Sequence, residues 1–166
     1  MDDSAFDEPD SYQSKALSFI ESVPGIESKS DAKVVQYFAM YCIFYATDSA
    51  TNPYIESLQA LPPDDPNYFP PNIRGWFDKS VAGWEDPNVD PCNFLTITCV
   101  NDRVTSIVLK DNFLTGEFPA EIILLASDND SGAGRLREID VADNLYLFSA
   151  DISWISDLGP EFREFF

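Results

Sequence analysis

The strongest constraint on this chain is a spacing. Val104, Ile107, Leu109, Asn112, Leu114, Gly116, Phe118, Pro119, Ile122 and Leu125 spell LxxLxLxxNxLxGxxPxxIxxL, with Val, Ile and Phe standing for Leu. A second unit opens at Leu136, Ile139, Val141 and Asn144, and a third at Phe162 and Phe165. The starts, near 104, 136 and 162, lie 32 and 26 residues apart, the first interval lengthened by the polar insertion Ser127 to Gly134. Each LxL step puts alternate side chains on one face of a short strand. Asn at the bend offers an amide that can bond to backbone groups freed there. One such unit cannot bury its apolar face alone, so the units must stack and the first of them needs a cover. Asn112 and Asn144, at equivalent positions, are expected to form a ladder rather than serve as plain turn residues.

Upstream the periodicity is different. Residues 1–13 are acidic and polar and read as a disordered lead-in. A short amphipathic helix should follow, capped by Ser14, with Leu17, Ile20 and Val23 inward and Pro24-Gly25 as its stop. From Asp31, a good N-cap, Ala32 to Ala46 runs without Gly or Pro and is apolar on nearly all sides, which predicts a buried helix containing Cys42 as an inert thiol. Residues 47–75 hold six of the twelve prolines and read as an extended surface crossing, with at most one short helix near Tyr54 to Ala60. They show no regular PxxP series that would mark a ligand for an aromatic groove. Phe94 to Val100, an Asn101-Asp102 turn and Val104 to Leu109 read as a β-hairpin.

Charge and missing residue types narrow the function. Lys and Arg number 10 against 29 Asp and Glu, a formal charge of −19 spread along the whole chain, which opposes nucleic acid and anionic lipid. With no histidine, Ser-His-Asp and Cys-His catalysis and His-ligated metals are excluded. Three cysteines, Cys42, Cys92 and Cys99, cannot make a four-cysteine zinc site, and suggest one disulfide plus one thiol. The longest apolar stretch, Tyr37 to Ala46, is ten residues, so no segment inserts into a bilayer. Neither a cofactor nor a metal site is expected. The loop Asp128-Asn129-Asp130-Ser131-Gly132 starts like an EF-hand but has Ile139 where the twelfth position needs Glu.

From Val104 to Ile122, with Pro91-Cys92 to Cys99 just before, the order of motifs resembles plant-type leucine-rich-repeat proteins, in the variant abundant in diatoms. The order is that of an N-terminal cap followed by the first repeats. The helix Val34 to Tyr45 and the tryptophans Trp76 and Trp84 sit where such caps have their packing helix and Trp, so the resemblance covers about residues 10–166. Residues 47–75 are then an insertion in the cap, the second unit lacks the Gly-x-x-Pro signature, and the third is incomplete.

The resemblance implies an α+β fold: a helical cap over residues 14–103 with a hairpin, leading into a short right-handed solenoid of parallel strands over 104–166. It implies a Cys92–Cys99 disulfide, which would contribute about 2 to 3 kcal/mol by restricting the unfolded chain. A disulfide in turn implies an extracellular or secretory-lumen location, with a leader or membrane anchor upstream of Met1. The sequon Asn129-Asp130-Ser131 fits that location.

The function implied is non-catalytic protein or peptide binding through the concave strand face. In the first unit that face comprises Ser106, Val108, Lys110 and Asp111, and in the second Glu138, Asp140, Ala142 and Asp143. Its acids favour a basic partner. The rival readings are a carboxylate-dependent hydrolase built on Asp111 and Asp140, and a calcium-binding structural module at Asp128-Asn129-Asp130-Ser131-Gly132. The apolar edge at Ile152, Ile155, Leu158 and Phe162 should be covered by further repeats or by a partner.

Overall fold

The computed structural model describes residues 6, 8–47, 57–68, 83–126, 135–144, 146–148 and 162–165. The insertion from Ser127 to Gly134 lies outside them, and with it the acidic loop and the sequon. Trp76, Ile152, Ile155 and Leu158 lie outside them as well. Helices and strands both contribute to the fold.

Helix α1 spans Tyr12–Glu21. Its cap is Ser11, whose side chain accepts from the Ser14 amide, so the serine expected to cap the helix sits in its first turn instead. The inward stripe is Ala16, Ile20 and Val23, whereas Leu17 is 45 % exposed. The small Ala16 lets α1 approach its neighbour closely and turns Leu17 outward. The acidic lead-in is partly engaged: Phe6 stacks on Phe38 at 6.0 Å, and Tyr12 and Gln13 both donate to Glu121.

Helix α2, Asp31–Thr47, forms the centre of the core. Ser30 caps it, its hydroxyl accepting from the Lys33 amide, and Asp31 lies inside the first turn where its charge suits the helix dipole. Tyr37, Met40, Tyr41, Cys42 and Ile43 are buried almost completely. Phe19 tilts against Tyr41 at 4.1 Å, while Trp84 packs between Phe44 and Phe94 at 6.2 and 4.6 Å. Gly83 adopts φ +90°, and a Cβ there would lie 3.0 Å from Val89 and 3.1 Å from Phe94, so the chain can reach Trp84 only with a glycine at this point. Residues 57–59 are helical, within the stretch where a short helix is expected.

A four-stranded mixed sheet follows, ordered β1-β2-β4-β6. Its strands are β1 (Ile97–Val100), β2 (Arg103–Val108), β4 (Glu138–Asp140) and β6 (Arg163–Phe165). The first pair is an antiparallel hairpin, with Asn101 and Asp102 both at positive φ, the twist that a two-residue turn between right-handed strands requires. The first strand is shorter than the sequence suggests, because Phe94 to Thr96 form a turn closed by the Ile97 amide donating to the Phe94 carbonyl at 3.1 Å, and Cys92 lies before it in the 3-10 turn Pro91–Asn93. β4 pairs in parallel with both β2 and β6. A second, two-stranded parallel ladder joins β3 (Thr115–Glu117) to β5 (Tyr146–Phe148). Between the sheets, Ala120–Leu125 is a 3-10 run packed on α2.

Val104, Ile107, Leu109, Leu114, Phe118, Ile122 and Leu125 are all buried, as are Leu136, Ile139 and Val141, and together with α2 they form one hydrophobic core.

Candidate functional site

The alternation of β2 and β4 fixes which side chains meet solvent. With Ile107, Leu109, Ile139 and Val141 inward, Ser106, Val108 and Lys110 share the outer face with Glu138, Asp140 and Ala142. Ser106 lies opposite Glu138 and Val108 opposite Asp140. The ladder runs past the strand ends: the amides of Arg137, Leu109 and Asp111 donate to the carbonyls of Thr105, Asp140 and Ala142 at 2.9, 2.7 and 3.0 Å. Asp111 and Asp143 then turn outward at positive φ, 51° and 61°, each followed by a buried asparagine. Ser106, Val108, Glu138 and Asp140 thus lie on the outer side of the paired strands, Lys110 and Ala142 continue that alternation past the strand ends, and Asp111 and Asp143 are exposed in the turns that follow, Asp143 beside Lys110.

Within this face the carboxylates are tied down unequally. Glu138 accepts from the Ser106 hydroxyl at 2.7 Å, and Asp140 accepts from the Ala142 amide at 3.1 Å. Each bond uses one carboxylate oxygen. Lys110 pairs with Asp143 at 3.1 Å, both well exposed. That hydrogen bond, with the charges of Asp143, Asp140 and Asp111, holds the ammonium above its usual pKa. Four carboxylates and one ammonium leave the face acidic. Val108, 41 % exposed, is its apolar element.

Behind this face Asn144 joins the two turns. Its side-chain oxygen accepts from the amides of Asn112 and Leu114, both at 3.0 Å, and its amide donates to the carbonyls of Leu109, Val141 and Ala142 at 2.8, 2.7 and 3.3 Å. One side chain therefore serves the backbone of its own turn and of the turn 32 residues earlier.

The sequence reading overlooked a polar knot where the hairpin meets α2. Lys33, 7 % exposed, pairs with Asp90 at 2.8 Å and with Asp102 at 2.7 Å. Gln36 accepts from the buried Val104 amide at 2.9 Å. Burial pushes the Asp90 pKa up, but bonds from Lys33, the Cys92 amide and Tyr37 outweigh it, so Asp90 sits below its ordinary value. A signal existed: Lys33 is the one cation in the otherwise apolar run Ala32 to Ala46, and a buried ammonium requires carboxylates nearby.

Cys92 and Cys99 form a disulfide. Cys42 is free and buried, and burial, helped by the Glu121 charge, holds its thiol far above the ordinary range, as expected of an unreactive group. Asp90, Cys92 and Asp102 cluster closely enough to suggest a cation site, but the sulfur is in a disulfide and the Lys33 ammonium bonds to both carboxylates. None of the helices among the described residues is long and apolar enough to cross a membrane. No protein-family model, no curated protein and no solved structure matches this chain.

Proposed function

We propose that this chain is a non-catalytic binding scaffold of the leucine-rich-repeat type, taking a basic protein or peptide segment on the outer face of β2 and β4. The observation that carries the reading is the in-register parallel face itself. Side chains from two chain segments stand side by side, four of them carboxylates, over a buried apolar core. Recognition by a preformed face avoids the entropy of ordering a loop. Stacking of turns is supported by the parallel pairing of β2, β4 and β6 and by the Asn144 bonds; the offset is 32 residues from Ser106 to Glu138, 31 from Thr115 to Tyr146 in the second ladder, and 25 from Glu138 to Arg163, one short of the expected 26, so that Phe165 pairs with Asp140 rather than Ile139. The hairpin, α1 and α2 act as the cover that the first turn needs. The disulfide favours an oxidising compartment, outside the cell or in the secretory lumen.

Panning a synthetic peptide library with Lys or Arg fixed at alternate positions tests this. Bound peptides should lose roughly tenfold in affinity to the triple variant Glu138→Ala, Asp140→Ala, Asp143→Ala, at about 0.5 kcal/mol per exposed charge pair. Equal loss in Glu8→Ala, Asp10→Ala, Glu21→Ala, which removes three exposed charges elsewhere, would reduce the effect to net charge and sink the proposal.

A further inference from the structure

The two sulfurs of the Cys92–Cys99 bond stand in different surroundings. The Lys33 ammonium and the Gln36 side-chain amide both approach Cys92 Sγ at 3.7 Å. Lys33 and Gln36 are one turn apart on the same face of α2, so both donors come from one rigid surface. Among the described residues Cys99 has no such donor. It sits on β1, which ends the sheet, at the point where the β1–β2 register shifts. Both cysteines are only partly buried.

We infer that this bond is a thiol–disulfide exchange site with a fixed direction: an incoming thiolate attacks Cys99, and Cys92 is the sulfur that leaves. Thiol exchange runs faster when the departing thiolate is better stabilised. The thiolate of a small thiol such as glutathione forms a new bond to Cys99 Sγ. The Cys92–Cys99 bond breaks, and its electron pair departs on Cys92 Sγ, facing Lys33 and Gln36. A second thiol then releases Cys99 as thiolate and leaves as the oxidised small-molecule disulfide. The two electrons come from the small thiols and the protons from solvent.

Asp90 and Asp102 set a limit on the effect. Both bond to Lys33, and their charges oppose a third anion nearby, although the Asp102 side chain is 71 % exposed and screened by water. The asymmetry between the sulfurs therefore governs which one is attacked more than how readily the bond is reduced. Opening the bond need not release the hairpin. Lys33 still holds Asp102, Gln36 still holds the Val104 amide, and Arg103 still donates to the Ala32 carbonyl at 3.2 Å. These contacts hold the hairpin, and with it Cys99, on α2, while Asp90 accepts from both Lys33 and the Cys92 amide, so Cys92 stays near Cys99 and the exchange is reversible.

The test treats the native protein with glutathione, quenches it rapidly with N-ethylmaleimide and locates both adducts by tandem mass spectrometry. Glutathione should appear on Cys99 and maleimide on Cys92, in roughly tenfold excess over the reverse arrangement. Lys33→Met should bring the two products towards equality, and Lys33→Arg should restore the excess. Should Lys33→Met fail to fold, Gln36→Leu provides the second reading, again with a reduced ratio. Equal products in the unaltered protein, glutathione mainly on Cys92, or no adduct on the native fold would each overturn the inference.

Discussion

Replacing Asn144 with Ala probes the junction between the two turns more sharply than any other single change. The side-chain oxygen accepts from two backbone amides, and the two N–H groups reach three backbone carbonyls, one N–H being shared. Truncation strands the amides of Asn112 and Leu114, in residues 9 % and 0 % exposed. An orphaned buried donor costs about 1–3 kcal/mol, and water entering the vacated space recovers part of that. With the carbonyls, which tolerate under-satisfaction better, the expected loss is about 3 kcal/mol. Urea unfolding followed by tryptophan fluorescence and far-ultraviolet circular dichroism would measure it. The comparison is Lys110→Ala, which breaks only an exposed ion pair in the same turn and should cost under about 0.5 kcal/mol. Amide exchange should accelerate at Asn112 and Leu114 in particular. If Asn144→Ala lies within about 0.5 kcal/mol of the unaltered protein, Asn144 is an ordinary turn residue and the two turns are not joined as described.

Other perturbations bear on the cap. Asp90 is held below its ordinary carboxyl value of 3.8, so its stabilisation is present above that pH and is lost as pH falls through the lower folded value; Asp90→Asn should remove this part of the acid unfolding profile. Gln36→Leu leaves the buried Val104 amide unpaired and should cost about 1–3 kcal/mol in urea, whereas no change would mean that water replaces the side chain. In native, non-reducing buffer Cys42 should not react with Ellman's reagent, and in denaturant one thiol per chain should appear; rapid native reaction would mean that α2 does not bury it.

Much of this fold was legible where one rule acts alone. The apolar run Ala32 to Ala46 can only be a buried helix, and Asn101-Asp102 between two β-rich runs calls for the turn it makes. Spacing alone picked out the buried positions Val104, Ile107 and Leu109. Readings failed where local signals competed. Ser11 and Ser14 both offer a capping hydroxyl, as do Ser30 and Asp31, and only the packed position of each helix decides between them. Leu17 looks more apolar than Ala16, yet close packing against α2 favours the smaller side chain. The burial of Lys33 and Glu121 was hidden because their partners lie 57 and 109 residues away in sequence, at Asp90 and Tyr12. The candidate face was visible as an alternation, but the bonds that hold Glu138 and Asp140 within it depend on cross-strand register, which spacing does not specify.

The parallel alignment of β2 with β4 underlies both the face and its proposed use, and nuclear magnetic resonance can detect it bond by bond. Scalar couplings through the hydrogen bonds should link the Leu109 nitrogen to the Asp140 carbonyl carbon, Asp111 to Ala142, and Arg137 to Thr105. Absence of these couplings, together with close α-proton contacts between the two segments as in an antiparallel pair, would contradict the account.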